Sequence, residues 1–407
     1  MTQDSFKSAG HDWRLFCGPD AIENNLKAAV TRAGAKRAMV VCSPSIQSKT
    51  NLIARIGDSL GDLYAGAFDG IEKDSSYASV RAATEKAQDL AADLLIAVGG
   101  GSVIVATRAV SIFLSEAGDP FDLMTQYPEG GKPFSPRLTA PKVPIINIPT
   151  TPTSAMNRAG TGLKNPDLDH RMEFFDPKTR PQAIFIDDGA LLSAPDGLIR
   201  STATTVFAWA AGATSLPPRN PLADGDQAQA FKLAYHAYLH LPENMGNAGL
   251  RRDLCLAAFL QNRSEDDGQP LFIRGPFAGD YAVATALHLQ YPSLKQGEAT
   301  AVVHAASVCL ARDVSPAQAR QSAEALGVWQ DGMDSAAATD AVAADLERVY
   351  KLNGMPTQLR DLNISKEDFP EIAGRTVKIF NASADLTSPE DRIARSLELL
   401  ESAWSDA

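Results

Sequence analysis

Ala92–Val110 reads ADLLIAVGGGSVIVATRAV, and the fold turns on how that stretch is read. Leu94–Val98 is an apolar run of the length of a fully buried strand. It breaks into Gly99, Gly100, Gly101 and Ser102 before an apolar-periodic helix begins. Three glycines let backbone approach a ligand where a Cβ would collide, and the start of the next helix offers free N–H groups and the positive end of its dipole. Together they predict a cradle for a phosphate-bearing ligand at residues 99–102. A turn that merely needs glycine geometry is the competing reading, since isolated glycine-rich loops are common. The position directly after a buried strand favours the cradle.

Outward from this loop, strand and helix alternate. Upstream, Trp13–Cys17 reads as a strand, and Gly18-Pro19-Asp20 leads into a helix with Ile22, Leu26, Ala29 and Val30 at helical spacing, ended by Gly34. Met39–Cys42 is the next strand, with Ser43-Pro44-Ser45 at its tip. Leu63–Phe68 is a third, and a helix over Ala78–Ala91 delivers the chain to the glycines. Downstream, a loop over Gly118–Pro141 precedes a strand at Val143–Ile148, which ends in Pro149-Thr150-Thr151. Another strand, Ala183–Ile186, is reached through Phe174-Phe175-Asp176-Pro177. The alternation predicts a mainly parallel sheet with helices on both faces. Ligands of such sheets sit at the strands' carboxyl ends, so Thr150 and Thr151 become cofactor-binding candidates. An acidic residue at the tip of the second strand usually holds a ribose 2′-hydroxyl; here the candidate is Ser43, which would not repel a 2′-phosphate. NAD and NADP both stay open, as does Ser43 serving only as a helix cap.

From about Gly189 the period changes from 2 to 3.6 and strands stop. Residues 199–215, 226–240, 249–262, 276–289, 297–312, 315–326, 335–350 and 388–404 read as helices. Ser388-Pro389-Glu390-Asp391 is a capping box with proline at the first helical position, and Ser365 with Asp368 reads as another. The expected organisation is an α/β domain over residues 1–188 and an all-helical domain over 189–407.

Bulk composition narrows the function classes. The 407 residues carry a net charge of −11 with no long basic run, which argues against a nucleic-acid partner. Cys17, Cys42, Cys255 and Cys309 lack the close pairing of a zinc site, and three of them sit in apolar surroundings suited to reduced, buried thiols. The first residues show no signal pattern, and no apolar stretch approaches the ~18 residues of a membrane span, so a cytoplasmic location without membrane contact is expected.

The order of these parts resembles the iron-containing (group III) alcohol dehydrogenase family, which shares its architecture with dehydroquinate synthase. The matching residues are Ala97-Val98-Gly99-Gly100-Gly101-Ser102, Ile148-Pro149-Thr150-Thr151, Asp176-Pro177 followed by Ala183–Asp187, and Pro195 with Leu198 and Thr202. The resemblance implies a Rossmann-like dinucleotide-binding domain, a C-terminal helical domain, hydride transfer between nicotinamide and an alcohol or carbonyl, and a homodimer. Arg171 occupies the place of a family lysine near the cofactor, where its charge could meet phosphates or a substrate carboxylate.

The same resemblance exposes a departure. Metal-dependent members carry an Asp and, four residues on, a His on the first helix of the second domain, with two further histidines later. Counted from Pro195, Leu198 and Thr202, those first positions are Thr205 and Trp209; anchored on Gln296-Gly297, the others are Ala282 and Gln296. These do not form a ligand set, because alanine and tryptophan cannot ligate and threonine and glutamine are weak neutral donors. No catalytic metal is expected. Maleylacetate reductases, thought to work without one, look nearest within the family. Like many of them the chain lacks an acidic residue at Ser43 and has Val105 where alcohol dehydrogenases carry Asp. That branch usually keeps a His at the position of Trp209, however, and its Thr-Thr-Tyr-Ala-Gly-Ser reads here Thr150-Thr151-Pro152-Thr153-Ser154-Ala155.

Without a metal, a side chain must supply the proton, a role that contributes typically 10²–10⁴-fold. Tyr281 and His288 flank the segment facing the former cavity and are the nearest candidates; a satisfied core residue is the plain alternative for each. His236 and His240 share a helical face, but no neighbouring acidic residue completes a metal site. Two functions remain: an NAD- or NADP-dependent oxidoreductase that reduces a small carbonyl compound such as a keto acid, without metal, or an inactive relative that binds a nucleotide or a partner.

Overall fold

The computed structural model describes residues 5–129, 132–268, 275–311, 314–379 and 388–404. The chain divides into two compact units, His11–Pro195 and a second formed by Asp196 onward together with residues up to Gly10. The join thus falls seven residues later than the expected 188/189. The reason is local: Asp187 caps a short helix by accepting from Ala190 N at 3.0 Å, and Ala190 is buried in the core of the first unit. Residues before Gly10 go with the helical unit, where Ala9 N donates to the Asp266 carbonyl at 2.9 Å.

The first unit holds β1 (Arg14–Gly18), α1 (Ala21–Arg32), β2 (Ala38–Cys42), α2 (Pro44–Lys49), α3 (Leu52–Leu60), β3 (Tyr64–Phe68), α4 (Tyr77–Asp89), β4 (Leu94–Gly99), α5 (Gly101–Ser115), α6 (Pro120–Leu123), β5 (Ile145–Pro149), β6 (Gly160–Leu163), β7 (Met172–Phe175), β8 (Ala183–Asp187) and α7 (Asp188–Leu192). Six strands form one parallel sheet in the order β1-β8-β5-β4-β2-β3. Every residue of β2, β4 and β5 is buried. A sheet covered on both faces needs apolar residues at every position, which is why these strands read as unbroken apolar runs.

The two covering layers are distinct. On one face α1 and α3 place Ile22, Leu26, Val30, Ile56 and Leu60 against Val40, Ile96 and Ile148. On the other, α4 and α5 place Val80, Ala83, Val103, Ile104 and Val110 against Met39, Val41, Leu95 and Ala97. The helices that leave β2 and β4 therefore go to opposite faces, which opens a crevice between the carboxyl ends of those adjacent strands, the standard ligand position in an open α/β sheet. The antiparallel hairpin β6–β7 leaves no alternation to read in the sequence, because Gly160–Leu163 and Met172–Phe175 are short and glycine interrupts the first.

The second unit holds α8 (Asp196–Ala213), α9 (Pro221–His240), α10 (Ala248–Asp266), α11 (Tyr281–Gln290), α12 (Gln296–Cys309), α13 (Pro316–Leu326), α14 (Ser335–Leu352), α15 (Phe369–Arg375) and α16 (Pro389–Trp404), with no strand among its described residues. The segment expected to turn helical at 276 does so at Tyr281, where Asp280 caps α11 by accepting from Val283 N at 3.0 Å. Ser365 accepts from Glu367 N at 3.2 Å and opens a short 3₁₀ turn, after which α15 begins at Phe369. Cys42 and Cys255 are buried whereas Cys17 and Cys309 are exposed, one fewer buried thiol than the flanking residues suggested. No described helix is long and apolar enough to cross a membrane.

Candidate active site

Strand register sets the carboxyl edge. Gly99 pairs with Pro149 and Val98 with Cys42, so Gly100, Thr150 and Ser43 follow at one end of three adjacent strands. Gly100 is the N-cap of α5 and no side chain caps that helix, which leaves its first N–H groups to a ligand or water. Each glycine answers a specific crowding. A Cβ on Gly99 would sit 2.7 Å from Val103 Cγ2, one on Gly100 would sit 3.1 Å from Thr151 Oγ1, and one on Gly101 would sit 3.1 Å from Thr153 Oγ1.

Thr151 is fully buried, and its hydroxyl has no hydrogen-bond partner among the described residues. An unmet buried hydroxyl costs about 1–3 kcal/mol, a cost that a ligand seated over Gly100 would relieve. The residues present therefore fit a phosphate-bearing cofactor. Thr150 N donates to the Gly99 carbonyl at 3.0 Å and holds the β4 and β5 tips together. Ser102 accepts from Asp74 N at 3.2 Å, while its carbonyl accepts from Ser75 Oγ at 2.6 Å, so this serine also anchors the loop before α4. Ser43 is half-buried, its hydroxyl 3.0 Å from that of Ser45. Arg171 stands at the base of β7, its Nη1 3.4 Å from the Gly162 carbonyl; Thr161 ties that hairpin to α5 by donating to the Val105 carbonyl at 2.7 Å.

Arg108 is a further residue of this region, marked in the sequence as a lone charge inside the apolar helix Val103–Val110. It is buried on α5 and donates to the carbonyls of Ala155 and Gly160. Burial, with smaller contributions from Arg158 and Arg180, pushes its pKa down to about 9. It straps the segment downstream of Thr151 and Thr153 onto the helix of the glycine loop.

The helical unit contains a pocket of about 820 Å³, open mouth included, lined by residues of α8, α9, α10, α11, α12 and the segment before α11. Trp209 and Tyr281 both line it, and their rings meet edge to face with centroids 6.4 Å apart. His304 ties the segment before α11 to α12 and α14: fully buried on α12, it donates from Nε2 to the Phe277 carbonyl at 2.9 Å and accepts at Nδ1 from the Tyr350 hydroxyl at 2.5 Å. His288 does not line this pocket; it is buried, with Nδ1 2.6 Å from the Leu294 carbonyl. Of the two proton-donor candidates, only Tyr281 faces the pocket.

At the positions that the resemblance matches to metal ligands, Thr205 donates to its own helix at the Thr202 carbonyl at 2.7 Å, Ala282 is buried in the helical core, and the Gln296 carbonyl accepts from Thr300 Oγ1 at 2.8 Å. Gly297 is required where α12 starts against α8, since a Cβ there would fall 2.1 Å from the Ser201 carbonyl oxygen. Among the described residues no group of three or more His, Cys, Asp and Glu side chains is arranged to hold a metal ion.

Residues 13–188 match the sequence model of the iron-containing alcohol dehydrogenases. The α/β half belongs to that family. Beyond it, the chain is 30% identical to maleylacetate reductase 2 of Cupriavidus pinatubonensis over 54% of its length and 53% of that protein's. It is 26% identical to 4-hydroxybutyrate dehydrogenase of Cupriavidus necator over 86% of this chain and 89% of that one. The alcohol dehydrogenase from Oenococcus oeni shares the fold with a TM-score of 0.82 at 20% identity, over 98% of this chain and all of that one. As a relative of iron-containing alcohol dehydrogenases, the protein is an oxidoreductase of the dehydrogenase and reductase type.

Proposed function

We propose that this iron-containing alcohol dehydrogenase relative interconverts a small carbonyl compound and its alcohol with NAD or NADP and without a metal ion. The observation that carries the reading is the intact glycine–threonine cradle with its unmet Thr151 hydroxyl, taken with Thr205, Trp209, Ala282 and Gln296 at the positions where the family resemblance puts the metal ligands. A divalent ion would contribute several kcal/mol by polarising the carbonyl. In its place the protein must hold a proton near the developing alkoxide, and the Tyr281 hydroxyl is the group we assign to that task. A nicotinamide dinucleotide would supply or accept the hydride; Gly99–Gly101, Thr150 and Thr151 would hold its phosphates, with Ser43 leaving room for a 2′-phosphate.

A keto acid was the first substrate to consider, and two relatives are named for carboxylate-bearing compounds. The test is a fluorescence titration of NADH and NADPH into the protein, followed by cofactor turnover on a carbonyl panel in buffers with a chelator and with added zinc or iron. Cofactor binding and chelator-resistant turnover are expected. Failure of both cofactors to bind, or activity abolished by the chelator and restored by metal, overturns the reading.

A further inference from the structure

We propose that His236 and His240 form a two-imidazole chelate on the surface of α9 for a divalent transition-metal ion of the imidazole-preferring kind, zinc or copper, separate from the pocket beside Trp209. The ion takes no part in hydride transfer, so the site stands or falls independently of the reductase reading above. Three observations converge.

The first is geometry. Residues four apart lie one above the other on a helix, and here both imidazoles are exposed, with ring centroids 4.5 Å apart and planes tilted by 35°. Zinc–nitrogen bonds of about 2.0–2.1 Å set two ligating nitrogens roughly 3–3.5 Å apart in a tetrahedral site, a separation these rings reach by small rotations about their side-chain bonds.

The second is the state of the nitrogens. His240 Nδ1 lies 2.8 Å from the His236 carbonyl. A carbonyl only accepts, so Nδ1 carries the proton and Nε2 of the neutral ring keeps its lone pair. A bond of this kind on the remote nitrogen is what fixes tautomer and orientation in metal-ligating histidines. Among the described residues no hydrogen bond engages the ring nitrogens of His236 or Nε2 of His240.

The third is electrostatic. His240 is the last residue of α9, where the negative end of the helix dipole favours a cation. Asp253 on α10 stands within electrostatic reach of His236: burial pushes its carboxyl pKa up, and His236 and Arg252 draw it part of the way back. A cation held by His236 feels the same attraction, for which Arg252 competes. Among the described residues no third His, Cys, Asp or Glu side chain completes a metal-holding group, so water fills the remaining coordination positions. Asp253 and the pocket-lining Gln261 are eight residues apart on α10, about 12 Å along its axis, which keeps this site apart from the pocket.

The test uses the full chain, stripped with a chelator and exchanged into a non-coordinating buffer. Calorimetric titration with zinc should show about one site per chain, and magnesium, which prefers oxygen ligands, should show none. His236→Asn and His240→Asn should each weaken zinc at least about tenfold, since either leaves a single imidazole. Both rings are exposed, so the variants should keep the wild-type circular dichroism. Copper on the wild type should give the nitrogen hyperfine pattern of two imidazoles in electron paramagnetic resonance, reduced to one nitrogen in His240→Asn. No zinc binding to the wild type, zinc held with equal affinity by both variants, or a copper spectrum unchanged in His240→Asn overturns the proposal; the last two results would mean that the ion sits elsewhere on the chain.

Discussion

Nδ1 of His304 lies 2.5 Å from the Tyr350 hydroxyl, and both side chains are sealed from solvent. The imidazole is held neutral: burial pushes its pKa down to about 4, even though Nε2 bonds the Phe277 carbonyl. In the unfolded chain a histidine takes up its proton near pH 6.5. Because the folded pKa is the lower one, the unfolded state binds more protons between those values, and stability falls as pH drops from about 6.5 toward 4. The full effect is on the order of 3 kcal/mol. Thermal melts across that window should show a steeper loss in the wild type than in His304→Gln, which cannot titrate. Parallel curves would contradict the neutral, buried assignment.

Thr151 separates folding from cofactor binding. Its hydroxyl is buried without a partner, so Thr151→Val removes an unmet polar group at nearly constant volume. The melting temperature of the free protein should hold or rise, by the equivalent of up to about 1 kcal/mol, while NAD(P)H affinity drops about tenfold. Equal affinity in the two proteins would show that the hydroxyl does not meet the cofactor.

Gly100 is tested from the opposite wall. A larger side chain there is driven against Thr151 Oγ1, which is already 3.1 Å from the first added carbon. Gly100→Val should abolish detectable cofactor binding in fluorescence titration while leaving the far-ultraviolet circular dichroism of the fold intact.

Arg108 should behave as a structural strap. Arg108→Met leaves the Ala155 and Gly160 carbonyls without their donor, and urea unfolding should show a loss of about 2–4 kcal/mol. Arg108→Lys keeps the charge but lacks the fork that spans two carbonyls, so it should recover only part of that loss.

Tyr281 and His288 should diverge. Tyr281→Phe keeps the ring against Trp209 and removes the hydroxyl, so kcat should fall about 10²–10⁴-fold with little change in cofactor affinity. His288, buried against the Leu294 carbonyl, should alter stability more than turnover when replaced by Gln. A kcat in Tyr281→Phe within a few-fold of wild type would remove the tyrosine from the proton path.

Some of this was written in local sequence. The apolar run of β4, the three glycines after it and the helical period beyond Gly189 each report a property of a few neighbouring residues: burial on both faces, room for backbone, one sheltered stripe. Fold class and the Ser43, Gly100 and Thr150 edge were therefore readable from order and spacing. Only the tertiary structure decided that β2 and β4 are neighbours whose helices leave on opposite faces, that Arg108 finds carbonyls 47 and 52 residues away, and that His304 meets Tyr350 across 46 residues. It likewise turned Tyr281 into the pocket and His288 away from it. Periodicity tells which side of an element is buried but not what lies opposite, and partners far apart in the chain are chosen by how whole elements pack.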